Sequence, residues 1–237
     1  LTILDRLLAI NPEQQPAQHM RAALSGTTPA SAPRQYVEEI FDKYAHRFDK
    51  HLEKTLGYTA PGALAAMVRE TISAALPFSA ALDLGCGTGL SGASFKEMSG
   101  RLVGVDVSGQ MLAKAAEKNF YARLEQEEIL SFLQRDTEEY NLFIAADVLV
   151  YLGDPKPLFS ALAARASAGA VVVCSIERAQ QTDSYLLRPS GRYAHNPLYL
   201  EQCAADADFI VLRHQAHQIR KENRQWLDGD LYLLRKK

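Results

Sequence analysis

Ala81-Leu82-Asp83-Leu84-Gly85-Cys86-Gly87-Thr88-Gly89-Leu90 is an apolar run that breaks into three glycines at alternate positions and then turns apolar again. A short β-strand, a tight turn and the start of a helix account for that order. Glycines at such a turn relieve the backbone of Cβ clashes and let a ligand come close to it. Gly87-x-Gly89-x-x-Gly92 formally satisfies the dinucleotide-binding pattern, which alone is weak support. Asp83, two positions before the first glycine, argues against that ligand. A carboxylate beside a bound pyrophosphate places like charges together in a partly desolvated site. A ligand with an ammonium and a sulfonium group suits the same place, and S-adenosylmethionine is such a ligand.

Around this turn, apolar runs alternate with helical periods. Strands are expected at Ala81–Leu84, Leu102–Val105, Tyr140–Ala146 and Ala170–Ile176. Helices are expected at Leu90–Met98, Gly109–Lys118, Pro157–Ser167 and Pro197–Ala207. Such β-α-β-α order argues for a parallel sheet covered by helices on both faces. Phe209–His217 and Gly229–Leu234 follow without an intervening helix and read as an antiparallel hairpin at the sheet edge. Upstream, Val37, Ile40, Phe41, Tyr44, Phe48 and Leu52 recur at three- and four-residue steps, so Arg34–Leu56 reads as an amphipathic helix. A further helix is expected over Pro61–Leu76.

The 237 residues are 47% hydrophobic and 23% charged, with 26 Lys+Arg against 28 Asp+Glu for a net charge of −2. These values exclude a disordered chain, a collagen-like repeat and a disulfide-stapled scaffold. Near-neutrality gives no global attraction to nucleic acid or an anionic membrane, and no apolar run is long enough to span a bilayer. The opening residues lack the basic-then-apolar pattern of a secretory signal, so a cytoplasmic protein is expected. Cys86, Cys174 and Cys203 are too dispersed for a zinc site or a disulfide framework, and read as small buried residues. No metal is expected.

Asp106 ends the second expected strand in Arg101-Leu-Val-Gly-Val-Asp106-Val-Ser108, about twenty residues after the glycine turn. An acidic side chain there can accept hydrogen bonds from both hydroxyls of a ribose. It could instead cap the following helix, a role open to Ser108 as well. Met111, in the first turn of that helix, can lie on an adenine ring or fill the core.

Leu82-Asp83-Leu84-Gly85-Cys86-Gly87-Thr88-Gly89 together with Val105-Asp106-Val107-Ser108 resembles the first two motifs of the class I S-adenosylmethionine-dependent methyltransferases. The resemblance covers about residues 36–237. It implies an α/β, Rossmann-like fold: a seven-stranded, mostly parallel sheet with an antiparallel last strand, preceded here by a helical extension. By resemblance, Asp83 and Gly85 hold the methionine end of S-adenosyl-L-methionine, with Cys86, Gly87 and Gly89 beside it. Asp106 and Val107 then flank the ribose. Glu128 and Ile129 stand where the family reads the adenine, with Glu127 competing. Phe143-Ile-Ala-Ala146-Asp147-Val-Leu-Val-Tyr151-Leu resembles the fourth-strand motif, which puts Ala146 and Asp147 beside the transferring methyl. The Asn/Asp-Pro-Pro-aromatic motif of nucleic-acid amino-methyltransferases is absent, which argues against a DNA or RNA amine. The helix through Tyr44 and Phe48 resembles a lid over the cofactor, and its spacing equally suits core packing.

Methyl transfer from a sulfonium is an in-line displacement, so alignment is most of what a protein supplies, a contribution of roughly 7–11 kcal/mol in model systems. A base is needed only where the acceptor must lose a proton; Tyr151, Tyr193 and His195 are the candidates for contact with the acceptor. Arg213, His214, His217, Arg220, Lys221 and Arg224 read as a solvated face, with a lining for an acidic substrate as the lesser reading.

At the N-terminus, residues 1–24 read as two helices broken at Asn11-Pro12 and closed by Gly26, with 27–33 a linker. Leu8-Ala-Ile-Asn11-Pro12-Glu13 resembles a tetratricopeptide (TPR) repeat boundary, as in bacterial predicted methyltransferases that carry such repeats. A lone repeat cannot bury its own apolar face, so it must pack on the domain of residues 34–237, meet another protein, or belong to an array. The function expected is transfer of a methyl group to a small-molecule or protein acceptor, with S-adenosyl-L-homocysteine as product. The rivals are a catalytically silent cofactor-binding scaffold and a nicotinamide-dependent oxidoreductase.

Overall fold

The structure, a computed structural model, describes residues 1–72 and 77–237. Seven strands form one sheet in the order β3-β2-β1-β4-β5-β9-β8. They are β1 (Ala81–Leu84), β2 (Leu102–Asp106), β3 (Arg123–Gln126), β4 (Tyr140–Ala145), β5 (Ala166–Glu177), β8 (Phe209–Glu222) and β9 (Gln225–Lys236). Strands β1 to β5 are mutually parallel; β9 runs antiparallel between β5 and β8. A second, two-stranded sheet pairs β6 (Tyr185–Leu187) with β7 (Tyr193–His195). None of the helices is long and apolar enough to cross a membrane among the described residues.

Strand alternation divides the core in two. Leu82 and Leu84 of β1 and Phe143 of β4 face α8 (Ile129–Arg135), α9 (Lys156–Arg165) and α10 (Pro197–Asp206) through Phe132, Phe159, Leu162 and Leu200. Ala81, Leu142 and Ile144 face the other way, onto α5 (Ala60–Ile72) and α6 (Leu90–Phe95) through Leu64, Val68 and Phe95. With both faces covered, strands read as near-continuous apolar runs, which is why β1, β2, β4 and β5 stand out in the sequence. The half-buried edge strand β3, Arg-Leu-Glu-Gln, carries no such signal, and neither it nor α8 was expected as an element.

Two other expectations need correction, and a third reaches beyond the described residues. Arg34–Leu56 is not one helix: α3 (Arg34–Tyr44) passes through a 3₁₀ turn at Ala45–Arg47 into α4 (Phe48–His51) and a π-helical turn at Leu52–Leu56, ended by Gly57 at φ +63°. The segment bends because it follows a cavity rim, where Asp42 and Asp49 are tied to other loops. The helix expected to reach Leu76 runs from Ala60 to Ile72, and its remaining residues lie outside those described. The hairpin strands are longer than expected, since β8 alternates polar and apolar residues at the sheet edge.

Of the N-terminal helices, α1 (Thr2–Ile10) buries no residue, whereas α2 (Gln15–Ser25) buries Ala17, His19 and Ala23. His19 Nε2 lies 2.9 Å from the Gly191 carbonyl between β6 and β7, and the Asp154 amide donates to the Ala30 carbonyl at 2.8 Å. Residues 15–33 therefore pack on the β6–β7 side of the sheet domain.

Candidate functional site

Gly85, Gly87 and Gly89 have φ of +59°, +53° and +87°, a region that L side chains rarely occupy. At Gly85 a Cβ would also lie 2.9 Å from Val148. At Gly87 it would meet only the Phe48 ring edge at 3.9 Å, so this backbone is open to a cavity of about 380 Å³. The cavity lies at the C-terminal ends of β1, β2 and β4, where open parallel sheets place their ligands. Its volume is within the range of small-molecule sites.

Asp106 ends β2 at the cavity wall. Its Oδ2 accepts from the Gly87 amide and its Oδ1 from the Ser108 amide, both at 2.9 Å. The carboxylate so holds the turn in shape, and each oxygen keeps a lone pair for another donor. Burial lifts its pKa to about 6, partly offset by those amides. Ser108 caps α7 (Gly109–Glu117) by accepting from the Met111 amide, which leaves Asp106 free of that role. Val107, Cys86, Glu128 and Ile129 line the same cavity, and beyond β4 so do Ala146, Asp147, Val148 and Tyr151. Glu128, not Glu127, faces inward: Glu127 is paired with Arg135 at 2.8 Å, while Glu128 caps α8 through the Ser131 amide.

Five expected residues lie off the cavity. Asp83 is fully buried on the α6 face of β1, beneath the turn, where it accepts from both Ser91 Oγ at 2.8 Å and Tyr121 Oη at 2.6 Å. Alternation along β1 dictates this side, so Asp83 braces the turn from below and is not aimed at a ligand. Burial raises its pKa to about 7. Gly89 faces the Tyr121 ring, and Met111 is buried under α7. His195 is fully buried, with Nε2 2.9 Å from the Leu152 and Gly153 carbonyls, and burial lowers its pKa. It is a neutral clamp on the turn after β4, too enclosed for contact with an acceptor. Tyr193 is likewise buried, with its hydroxyl unpartnered among the described residues.

The segment through α3 and α4 lines the cavity with aromatic rings. Phe48 packs edge-on against Tyr44 (5.3 Å) and Phe41 (5.9 Å), and Phe41 against Tyr151 (5.3 Å). Two carboxylates fasten it: Asp42 accepts from Ser108 Oγ at 2.6 Å, and Asp49 accepts from Thr88 Oγ1 and pairs with Lys118 at 3.0 Å. His51, which also lines the cavity, bonds to the Tyr44 hydroxyl. Neither latch was foreseen, because an Asp on the polar side of an amphipathic helix looks like any solvated residue.

Arg220 was read with the solvated basic residues of the hairpin, yet it is 4% exposed and lines the cavity. A register shift between Gln218 and Lys221 breaks the alternation of β8 and turns both Ile219 and Arg220 inward, a bulge that polarity alone does not reveal. Arg220 binds both oxygens of Asp147, whose φ is +61°, and also Glu177. Glu177 is fully buried and is also bound by Arg188 and Arg192 at 3.0 Å each. Burial opposes the Arg220 charge, but Asp147 and Glu177 outweigh it and keep the guanidinium pKa above its usual value.

Residues 82–172 match the family described as a methyltransferase domain. No curated protein matches the chain by sequence. Among solved structures, it is similar to the magnesium protoporphyrin IX methyltransferase of Synechocystis with bound SAH (TM-score 0.64, 14% identity, 86% of this chain and 99% of that one). It is also similar to the N-methyltransferase NodS of Bradyrhizobium japonicum in complex with S-adenosyl-L-homocysteine (0.59, 19%, 73% and 85%). A third similar structure is the [4+2]-cyclase SpnF (0.68, 15%, 88% and 98%). The fold is the class I methyltransferase fold, with its antiparallel strand at β9.

Proposed function

We propose that this chain is an S-adenosyl-L-methionine-dependent methyltransferase that acts on a small-molecule or protein acceptor and releases S-adenosyl-L-homocysteine. The observation that carries the proposal is the cavity in which the side-chain-free Gly87 faces Asp106 under the aromatic lid. The donor set fits the cofactor. Asp106 has lone pairs for ribose hydroxyls; Glu128 and Ile129 offer an acceptor and an apolar contact for the adenine. Gly85, Cys86 and Gly87 give backbone close enough for the methionine part, and Ala146 and Asp147 border the far side. A pyrophosphate has no such welcome, since Asp106 and Glu128 both present negative charge.

The bound cofactor supplies an electrophilic methyl on a positively charged sulfur. The protein's part is alignment and exclusion of water: Tyr44 and Phe48 close the cavity, and Asp42 and Asp49 hold them there. Tyr151 does not act as a base at neutral pH, because burial and the nearby Asp147 raise its pKa well above the usual value. His195 and Tyr193 are enclosed, so we assign none of the three candidates as a base. We assign residues 34–237 to the catalytic domain and residues 1–33 to a tetratricopeptide-like fragment whose exposed α1 offers a surface to another protein. The near-neutral charge favours a small-molecule or protein acceptor over nucleic acid.

SpnF, named as a cyclase on this fold, is why the silent-scaffold reading is kept beside the proposal. The distinguishing experiment incubates the purified chain with methyl-labelled cofactor and with fractionated small-molecule and protein extracts. Label transferred to an acceptor with equimolar S-adenosyl-L-homocysteine supports the enzyme. Cofactor binding with no transfer across all fractions, including proteins, supports the scaffold.

A further inference from the structure

The wall of the cavity beyond Asp147 is made of hydrogen-bond donors. Arg192 spends Nε on Glu177 and Nη2 on Glu222, which leaves Nη1. Arg220 spends Nη1 on Asp147 and Nη2 on Glu177, which leaves Nε. Tyr58 and Tyr151 line the same wall, and among the described residues neither hydroxyl has a hydrogen-bond partner. All four line one cavity, with Tyr151 within reach of the charges of Asp147, Arg192 and Arg220, and Tyr58 of those of Asp147 and Arg220. Burial first, and then Asp147, keep both phenols protonated, so they donate. Asp147, the one carboxylate of this wall, has both oxygens taken by Arg220. A wall with four unspent donors, whose one carboxylate is already bound by Arg220 at both oxygens, is complementary to a ligand group that only accepts, and an ionised carboxylate is a group of that kind with about four lone-pair sites.

We infer that the acceptor of the methyl group carries a carboxylate, which Arg192, Arg220, Tyr58 and Tyr151 hold, while its apolar body lies against Ile40 and Phe41. The inference rests on the methyltransferase reading and adds to it the substrate class. Charge selects a carboxylate over a phosphate dianion. Arg188, Arg192 and Arg220 stand against Glu177, Asp147 and Glu222, so the cluster has no net charge and a dianion is disfavoured more than a monoanion. Four donors on one carboxylate also withdraw its electron density, so the group is a handle that orients the acceptor.

The test is calorimetric titration of the full chain, saturated with S-adenosyl-L-homocysteine, using 4-phenylbutyrate, decanoate, 4-phenylbutyramide and phenyl phosphate. At least one carboxylate is expected to bind, and 4-phenylbutyrate at least tenfold tighter than its amide. Arg192→Gln is expected to weaken carboxylate binding at least tenfold, and Tyr151→Phe severalfold, without change in S-adenosyl-L-homocysteine affinity. Thermal unfolding of both variants confirms that they fold; should Arg192→Gln not fold, Tyr151→Phe decides. Equal affinity for acid and amide, preference for phenyl phosphate, or no binding of either carboxylate overturns the inference while cofactor binding still stands. Absence of S-adenosyl-L-homocysteine binding in the first titration overturns the functional proposal itself, and this inference with it.

Discussion

Asp106 and Asp83 are both buried carboxylates, 23 residues apart in the chain, yet they act on the glycine turn from opposite sides. Asp106 faces the cavity. A hydrogen bond to a charged group contributes about 1.5–3 kcal/mol, so Asp106→Ala should weaken S-adenosyl-L-homocysteine binding roughly 10- to 100-fold. With its pKa at about 6, Asp106 takes up a proton as the pH falls through that value, and cofactor affinity should fall with it. The Ala variant should lack that pH dependence; an identical profile in both would remove Asp106 from the ribose site. Asp83 gives a stability prediction. Its folded pKa of about 7 lies above the ordinary carboxylate value, so between about pH 4 and 7 the folded state keeps a proton the unfolded state has released. Its contribution to stability therefore declines as pH rises through that window. Asp83→Asn should flatten this part of the Tm-against-pH curve, measured from pH 5 to 8; an unchanged slope would refute the assignment. The motif sets Asp83 beside the ligand as it does Asp106, whereas the strand turns Asp83 to the opposite face, because a motif does not state which face of a strand its residue takes.

The same lesson recurs for whole elements. β1, β2, β4 and β5 were legible as apolar runs since they are covered on both faces, whereas the edge strand β3 reads as polar chain and the edge strand β8 was legible only over Phe209–His217. The lid was legible as an amphipathic period, but not its 3₁₀ and π turns, which follow from where Asp42 and Asp49 are tied. Removing both ties with Asp42→Ala and Asp49→Ala loses side-chain hydrogen bonds of about 0.5–1.5 kcal/mol each. Hydrogen exchange of residues 34–58 should accelerate in that double variant, and S-adenosyl-L-homocysteine should dissociate severalfold faster. Protection equal to the parent chain would mean that ring packing alone holds the lid. At the hairpin, one bulge in β8 converts Arg220 from an expected surface residue into part of the cavity wall. Bulges insert a residue without a compositional mark, so the sequence offered Tyr151 and Asp147 for this end of the cavity but gave Arg220 a place there only as the lesser reading.

Across the whole molecule, the parallel sheet gathers the ends of β1, β2 and β4 at one cavity, and the N-terminal segment docks beside it through α2. Helix α1 stays outside this arrangement: Ile3 is 82% and Ile10 84% exposed. Deleting residues 1–11 should thus leave Tm within about a degree or two, since no buried contact is lost; a larger fall would show that α1 supports the domain. The account's central claim concerns the cavity and its cofactor, and it is tested most directly by one calorimetric comparison of the intact chain against Asp106→Ala, titrated with S-adenosyl-L-homocysteine and with NAD. The account predicts one-to-one binding of S-adenosyl-L-homocysteine to the intact chain, at least tenfold weaker in Asp106→Ala, and no binding of NAD. Binding of NAD without S-adenosyl-L-homocysteine would contradict it.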